Sequence, residues 1–222
     1  LLLSFSLMAV GCSRNPETVK RKHLADGDAL VEQGQYREAV VEYRNAIKID
    51  EQFGEARLKL ADAYAKLDDA RGAFREYVRA ADLLPGDVAA QVKAGSMLLM
   101  AGRFEDARGR ADKALAVDPK SIEAQVLRAN ATAGLRDLDG AVQQIEEAIR
   151  LDPRQAGPYA NLGALEMARG NRAEAEAAFE QAVKADPSSA VAHLALANFY
   201  WASGRRPEAE ASLKEALRLE PG

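Results

Sequence analysis

The chain has 222 residues, 48% of them hydrophobic and 6% aromatic, and its 34 acidic against 30 basic side chains leave a formal net charge of −4. That apolar fraction excludes a disordered chain, and the charge balance offers no broad basic surface to a nucleic acid. A single cysteine, Cys12, excludes a disulfide framework and any zinc site built from several thiolates. Length by itself suits one or two ordinary domains.

The first ten residues, Leu1 to Val10, carry no charge, and the first charged side chain is Arg14. A helix of that length reaches about 15 Å, half of a bilayer's hydrocarbon core, so the run suits the apolar region of a secretory signal better than a membrane span. No initiator Met or basic stretch precedes Leu1, so the start of a precursor is expected to be missing. Met8-Ala9-Val10-Gly11-Cys12 resembles the lipobox of bacterial lipoproteins, with Ala9 where Leu is usual. The resemblance implies lipidation of Cys12 and cleavage in front of it; the alternative is a plain signal peptide with an incidental cysteine. Residues 1–12 are thus read as signal remnant and anchor, and 13–19 as a short linker and helix lead-in. Asn15, Pro16 and Glu17 supply an N-cap, a first-turn proline and a first-turn acid, which predicts a helix starting near Pro16. Ser13 after the cysteine is compatible with sorting to the outer membrane, facing the periplasm.

From Lys20 onward the chain repeats itself. Pro85, Pro119, Pro153, Pro187 and Pro221 are spaced by 34 residues, as are Ala39, Ala73, Ala107, Ala141, Ala175 and Ala209, and again Ala46, Ala80, Ala114, Ala148, Ala182 and Ala216. A third column alternates Gly27, Ala61, Gly95, Ala129, Gly163 and Ala197. Six copies follow, 20–53, 54–87, 88–121, 122–155, 156–189 and 190–222. Each contains two amphipathic stretches and predicts two helices. Gly34, Gly102, Gly170 and Gly204 fall at the break between them, where a left-handed residue after the first helix is wanted; Asp68 and Arg136 take that place in the other two copies. Glu38, Glu105, Glu174 and Glu208 open the second helix, with Pro207 in its first turn, and the closing proline stops it. The small columns mark helix crossings, and Tyr43, Tyr77, Ile145, Phe179 and Leu213 fill the space between them.

The period and columns resemble the tetratricopeptide repeat family, whose pattern stands in copy five as Tyr159, Leu162-Gly163, Ala175, Phe179, Ala182 and Pro187. Copy one departs most, with His23, Asp26 and Glu51 in the columns of Tyr159, Leu162 and the proline, as a terminal repeat would. The resemblance implies an all-α solenoid, a right-handed superhelix with a concave and a convex face.

No chemistry of catalysis stands out. His23 and His193 occupy one column, five periods apart, and are read as packing residues. No carboxylate has a spacing to histidine such as H-E-x-x-H, and no phosphate loop, nucleophile elbow or dinucleotide fingerprint occurs. No catalytic residue, metal or cofactor is therefore expected. Arg103, Arg108, Arg110 and Lys113 are interleaved with Glu105, Asp106 and Asp112, the pattern of a solvated helix face.

Binding has a candidate. On the first helix of copy three, Ala89, Val92, Ser96 and Leu99 form a stripe spaced 3, 4, 3, which the family resemblance places in the concave groove. One column runs Leu24, Leu58, Val92, Val126, Ala160 and Leu194; another Val31, Ala65, Leu99, Ala133, Met167 and Trp201; between them lie Asp28, Asp62, Ser96, Asn130, Ala164 and Asn198. The expected groove is apolar with a polar seam, acidic toward the N-terminus, and the residues taken to bind are Val92, Ser96, Leu99, Val126, Asn130, Ala164, Met167, Leu194, Asn198 and Trp201. Relatives that clamp acidic chaperone tails carry lysine where this chain has Leu, Val or Ala, so an extended apolar segment or an amphipathic helix is the expected occupant. The alternative is that Val92, Val126 and Leu194 serve only inter-helix packing.

Together these features point to a non-catalytic, membrane-tethered scaffold for an extracytoplasmic assembly. Lipobox plus six repeats resembles the pilotin lipoproteins of type IV pilus secretins, and the start at Cys12 resembles repeat lipoproteins linked to exosortase and exopolysaccharide systems. A recognition arm of a longer enzyme and a soluble cytoplasmic adaptor are the alternatives. Leu213 and Leu217 near the end predict either a longer array or self-association there.

Overall fold

The computed structural model describes residues 15–220, and these contain twelve helices and no strand. The chain divides into two compact units, Leu1–Leu83 and Leu84–Gly222. The first holds α1 (Pro16–Glu32), α2 (Tyr36–Ile49), α3 (Gly54–Lys66) and α4 (Ala70–Leu83). The second holds α5 (Val88–Met100), α6 (Phe104–Val117), α7 (Ile122–Gly134), α8 (Leu138–Leu151), α9 (Ala156–Arg169), α10 (Arg172–Ala185), α11 (Ala190–Ala202) and α12 (Arg206–Leu219). Consecutive helices pair into one hairpin per sequence copy, and within each unit hairpins pack on their neighbours. The fold is an all-α repeat solenoid of six copies.

The ends of the helices follow from the residues marked in the sequence. Asn15 accepts a hydrogen bond from the Glu17 N–H at 3.0 Å and starts α1 with Pro16 in its first turn. Asp87, Ser121 and Ser189 cap α5, α7 and α11 in the same way, each through the N–H three residues on. Every first helix closes with the same pair of backbone bonds. In copy one the Gly34 N–H donates to the Val31 carbonyl and the Gln35 N–H to that of Leu30, a 6→1 and 5→2 closure that needs a left-handed residue.

Gly34, Gly102, Gly170 and Gly204 supply it with φ between 72° and 85°, while Asp68 (φ 57°) and Arg136 (φ 71°) do so with a side chain attached. That strain is offset locally. In these two copies alone, the next residue is an aspartate that caps the second helix: Asp69 accepts from the Gly72 N–H at 2.9 Å, and Asp137 from the Gly140 N–H at 2.8 Å. A cap of this kind contributes about 1 kcal/mol, comparable to the cost of a non-glycine left-handed residue.

The alanine columns form the core. Ala39, Ala73, Ala107, Ala141, Ala175 and Ala209 are all buried, and so are Ala46, Ala80, Ala114, Ala148, Ala182 and Ala216. In copies one and five the glycine of the alternating column faces the aromatic ring sixteen residues later, whereas Gly95, with Ala111 in that place, faces Leu127 of the next copy. A Cβ on Gly27 would stand 2.5 Å from the Tyr43 ring, and one on Gly163 2.8 Å from the Phe179 ring, so glycine here is the space the aromatic occupies. Tyr43, Tyr77, Ile145 and Phe179 are buried as expected; Leu213, in the same column, is exposed.

Candidate functional site

In the second unit, five of the expected groove residues meet in one cavity of about 350 Å³. Val92, Ser96 and Leu99 come from α5, and Val126 and Asn130 from α7. The wall is completed by Ile122, Glu123 and Leu127 of α7, by Gln155, and by Gly157, Pro158 and Asn161 of α9. The 3, 4, 3 spacing on α5 sets one apolar edge toward the cavity. Val92 also packs against Ala114, Leu115 and Ala124, and Val126 against Ala129, Val142 and Ile145. Both valines are half-buried, so each serves the core with one side and the cavity with the other. The Asn161 side chain donates to the Gly157 carbonyl at 3.0 Å, which holds it at the rim.

A second cavity of about 440 Å³ lies between α11 and α12, lined by Ala197, Asn198, Trp201, Arg206, Ala209, Glu210 and Leu213. The Arg206 guanidinium lies 5.9 Å from the Trp201 ring centroid, within cation–π range. Trp201 remains 68% exposed. Three expected binding residues line neither cavity. Ala164 is exposed on α9, and Leu194 is 44% exposed on α11. Met167 packs against the cluster of Ala175, Phe179, Leu196 and Phe199, so its flexible thioether chain serves the core as well.

The acidic part of the seam lies in the first unit, where Asp28, Asp62, Tyr43, Lys59 and Lys66 line a cavity of about 350 Å³. The Tyr43 hydroxyl donates to Asp28 at 2.8 Å and the Tyr77 hydroxyl to Asp62 at 2.6 Å, with Lys59 Nζ 3.0 Å from Asp28. Burial, reinforced by the adjacent carboxylate, pushes both phenols above the ordinary tyrosine range.

Reading the histidines as packing residues needs correction. Both are half-buried and use ring nitrogens in polar contacts. His193 Nε2 lies 3.1 Å from the Pro187 carbonyl oxygen. His23 Nδ1 lies 2.6 Å from Glu42 Oε2, and Asp26 joins them. Sequence spacing missed this group because Glu42 reaches His23 from the other helix of the hairpin. The basic cluster is in part the solvated face expected of it, with Arg103 paired to Asp106 at 2.7 Å and Arg108 to Glu105 at 2.6 Å, but Arg110 is half-buried and donates to Gln91 at 3.4 Å. The lipobox and Cys12 lie outside the described residues.

Helix hairpins of 34 residues, each burying two alanine columns against its neighbours, define an α-helical repeat protein. Family models described as "TPR repeat" and "Tetratricopeptide repeat" match residues 27–68, 65–111, 92–156 and 166–222. The chain belongs to the tetratricopeptide repeat family. It is 33% identical over 85 residues to the Hsp70-Hsp90 organizing protein of Triticum aestivum, a stretch that covers 38% of this chain and 15% of that protein.

Solved structures with the same fold include a tetratricopeptide repeat protein from Parabacteroides merdae, at 20% identity and a TM-score of 0.79, over 93% of this chain and 80% of that one. PilW, described as a widely conserved type IV pilus biogenesis factor, shares 19% identity at a TM-score of 0.72, covering 91% of this chain and 94% of its own. PilF of Pseudomonas aeruginosa shares 18% at 0.65, covering 93% and 94%. Repeats of this family imply a protein–protein interaction scaffold.

Proposed function

We propose that the chain is a lipid-anchored scaffold of the bacterial cell envelope that holds an apolar or amphipathic segment of a protein partner against the α5–α7–α9 cavity. The observation that carries the reading is the convergence of Val92, Leu99, Val126, Ile122 and Pro158 on one cavity edged by Ser96, Asn130 and Asn161. Apolar side chains would supply the burial on binding, and the amide and hydroxyl groups along the seam would hydrogen-bond a peptide backbone. The likeness to PilW and PilF supports an envelope assembly as the setting, and the lipobox at Cys12 supports the anchor. No helix among the described residues is long and apolar enough to cross a membrane, so on this reading the acyl chains hold the protein to the bilayer.

The test joins two measurements. Radiolabelled palmitate should enter the protein in cells and be lost in Cys12→Ala. A photo-crosslinker placed at Ser96 should capture a defined envelope protein, and Leu99→Glu should abolish that capture while the helical circular dichroism stays unchanged. Unlabelled protein sinks the anchor; capture indifferent to Leu99→Glu sinks the cavity.

A further inference from the structure

Copy one differs from the other copies at the crossing of its own hairpin. In copies two and three, residues 19 apart form a polar clasp between the two helices: Arg57 Nη1 donates to Glu76 Oε2 at 2.8 Å, and Arg110 Nη1 donates to Gln91 Oε1 at 3.4 Å. His23 and Glu42 are the same pair in copy one, at 2.6 Å. There a third group is added. Asp26 stands in the column that holds Leu60, Ala94, Arg128, Leu162 and Leu196 in later copies; three of these, Leu60, Ala94 and Leu196, are buried.

A clasp of imidazole and carboxylate needs no second carboxylate, and two carboxylates this close repel each other. Asp26 is three residues from His23, so both project from one face of α1, while Glu42 approaches from α2. One donor atom from each of the three side chains lies within 4.8 Å of the other two. Among the described residues this is the one group of three or more such side chains with that geometry.

We propose that His23, Asp26 and Glu42 form a binding site for a divalent transition-metal ion. An imidazole nitrogen with two carboxylate oxygens suits zinc. Ligand bonds of about 2.0–2.2 Å place the donor atoms of a tetrahedral ion roughly 3.3–3.6 Å apart, within the reach of small side-chain rotations from the present arrangement. Three protein ligands leave a fourth position for water. The ion takes the place of the proton between His23 Nδ1 and Glu42. The ring binds it neutral, with its remaining proton on Nε2, and any imidazolium proton passes to solvent. The two carboxylates, repulsive when alone, then share one doubly charged partner. His193, in the same column, faces a backbone carbonyl and belongs to no such group.

The test is zinc titration by calorimetry on the tag-free full chain carrying Cys12→Ser, so that the thiol offers no competing ligand, with the histidine ring resonances followed by NMR. One zinc ion per chain is expected, shifting the His23 ring and leaving that of His193 in place. Affinity should fall about tenfold or more in His23→Gln and in Asp26→Asn and stay unchanged in His193→Gln. At one fixed zinc concentration the melting temperature should also rise further in the parent than in Asp26→Asn, because an ion that binds only the folded state stabilises it in proportion to the logarithm of its affinity. Asp26 is exposed, so its amide variant keeps the fold even if His23→Gln loosens the hairpin. No saturable binding, equal affinity in Asp26→Asn, or a shift at His193 in place of His23 would overturn the site.

Discussion

The cavity among α5, α7 and α9 and the cavity between α11 and α12 draw on the same sequence columns, yet their walls differ in depth. Leu99 and Trp201 are equivalent residues three periods apart. Leu99 is half-buried with the first helices of the next two copies beside it, whereas Trp201 is largely exposed beside its own copy's second helix. A column thus fixes the direction in which a side chain points, and the neighbouring helices fix how much of it remains free. In the first cavity, Val92 and Val126 serve wall and core alike; in the second, the most prominent wall residue, Trp201, adds little to the core.

The contrast predicts graded losses on substitution. The largest effect is expected behind the first cavity, where Ala141 is fully buried at the α7–α8 crossing: Ala141→Leu should destabilise by about 1–3 kcal/mol in urea melts. Ala164→Leu, on an exposed position, should change stability by less than about 0.5 kcal/mol. Next, Leu99→Ala should cost about 1 kcal/mol, roughly half of what truncating a fully buried leucine costs at the low end, and Trp201→Ala less than about 0.5 kcal/mol. Equal losses at the two positions would erase the distinction between the cavities.

Third, Arg136→Gly should stabilise by up to about 1 kcal/mol by relieving the left-handed residue that closes α7, a gain that the glycine already present at 204 denies to the last copy. The smallest effect concerns the first unit at high pH. Tyr43 and Tyr77 have phenol pKa values raised above the ordinary value of 10.0, so the folded state holds their protons more tightly than the unfolded chain. That stability is present below about pH 10 and is lost as pH rises from there through the raised folded values. Tyrosinate absorbance should therefore lag behind that of the unfolded chain, and Tyr43→Phe should flatten the alkaline loss.

Much of this architecture is legible in the sequence because a period of 34 is a statement about backbone geometry. The alanine columns located every helix crossing, and the glycine column located every left-handed turn, including the two where Asp68 and Arg136 replace it. Helical spacing and period put Val92, Ser96, Leu99, Val126 and Asn130 of the first cavity on one stripe, and the family resemblance supplied the expectation that this stripe faces a groove.

What escaped depends on contacts that the period leaves open. Ile122, Gln155 and Pro158 enter the wall from the starts of the following first helices, outside the stripe. Met167 shares its column with Leu99 and Trp201 but finds Phe179 and Phe199 within reach, and packs on them. The His23–Asp26–Glu42 group required knowing that residues 19 apart meet across a hairpin. Once the period is known, that offset can be read off as matched polar pairs: His23 with Glu42, Arg57 with Glu76, Gln91 with Arg110.

Those pairs have a consequence for how such a chain can change. Arg57–Glu76 is among the less exposed ion pairs, and it closes within a single copy, as do Tyr43–Asp28 and Tyr77–Asp62. Several ion pairs that run between copies, such as Arg21–Glu55 and Arg205–Glu176, have more exposed side chains. Loss or duplication of one 34-residue unit therefore carries away or adds these three inner pairs complete, whereas a contact such as the Tyr200–Glu180 hydrogen bond, which runs between copies, is broken. These three polar pairs are each written within one unit, so the number of units can drift without separating them.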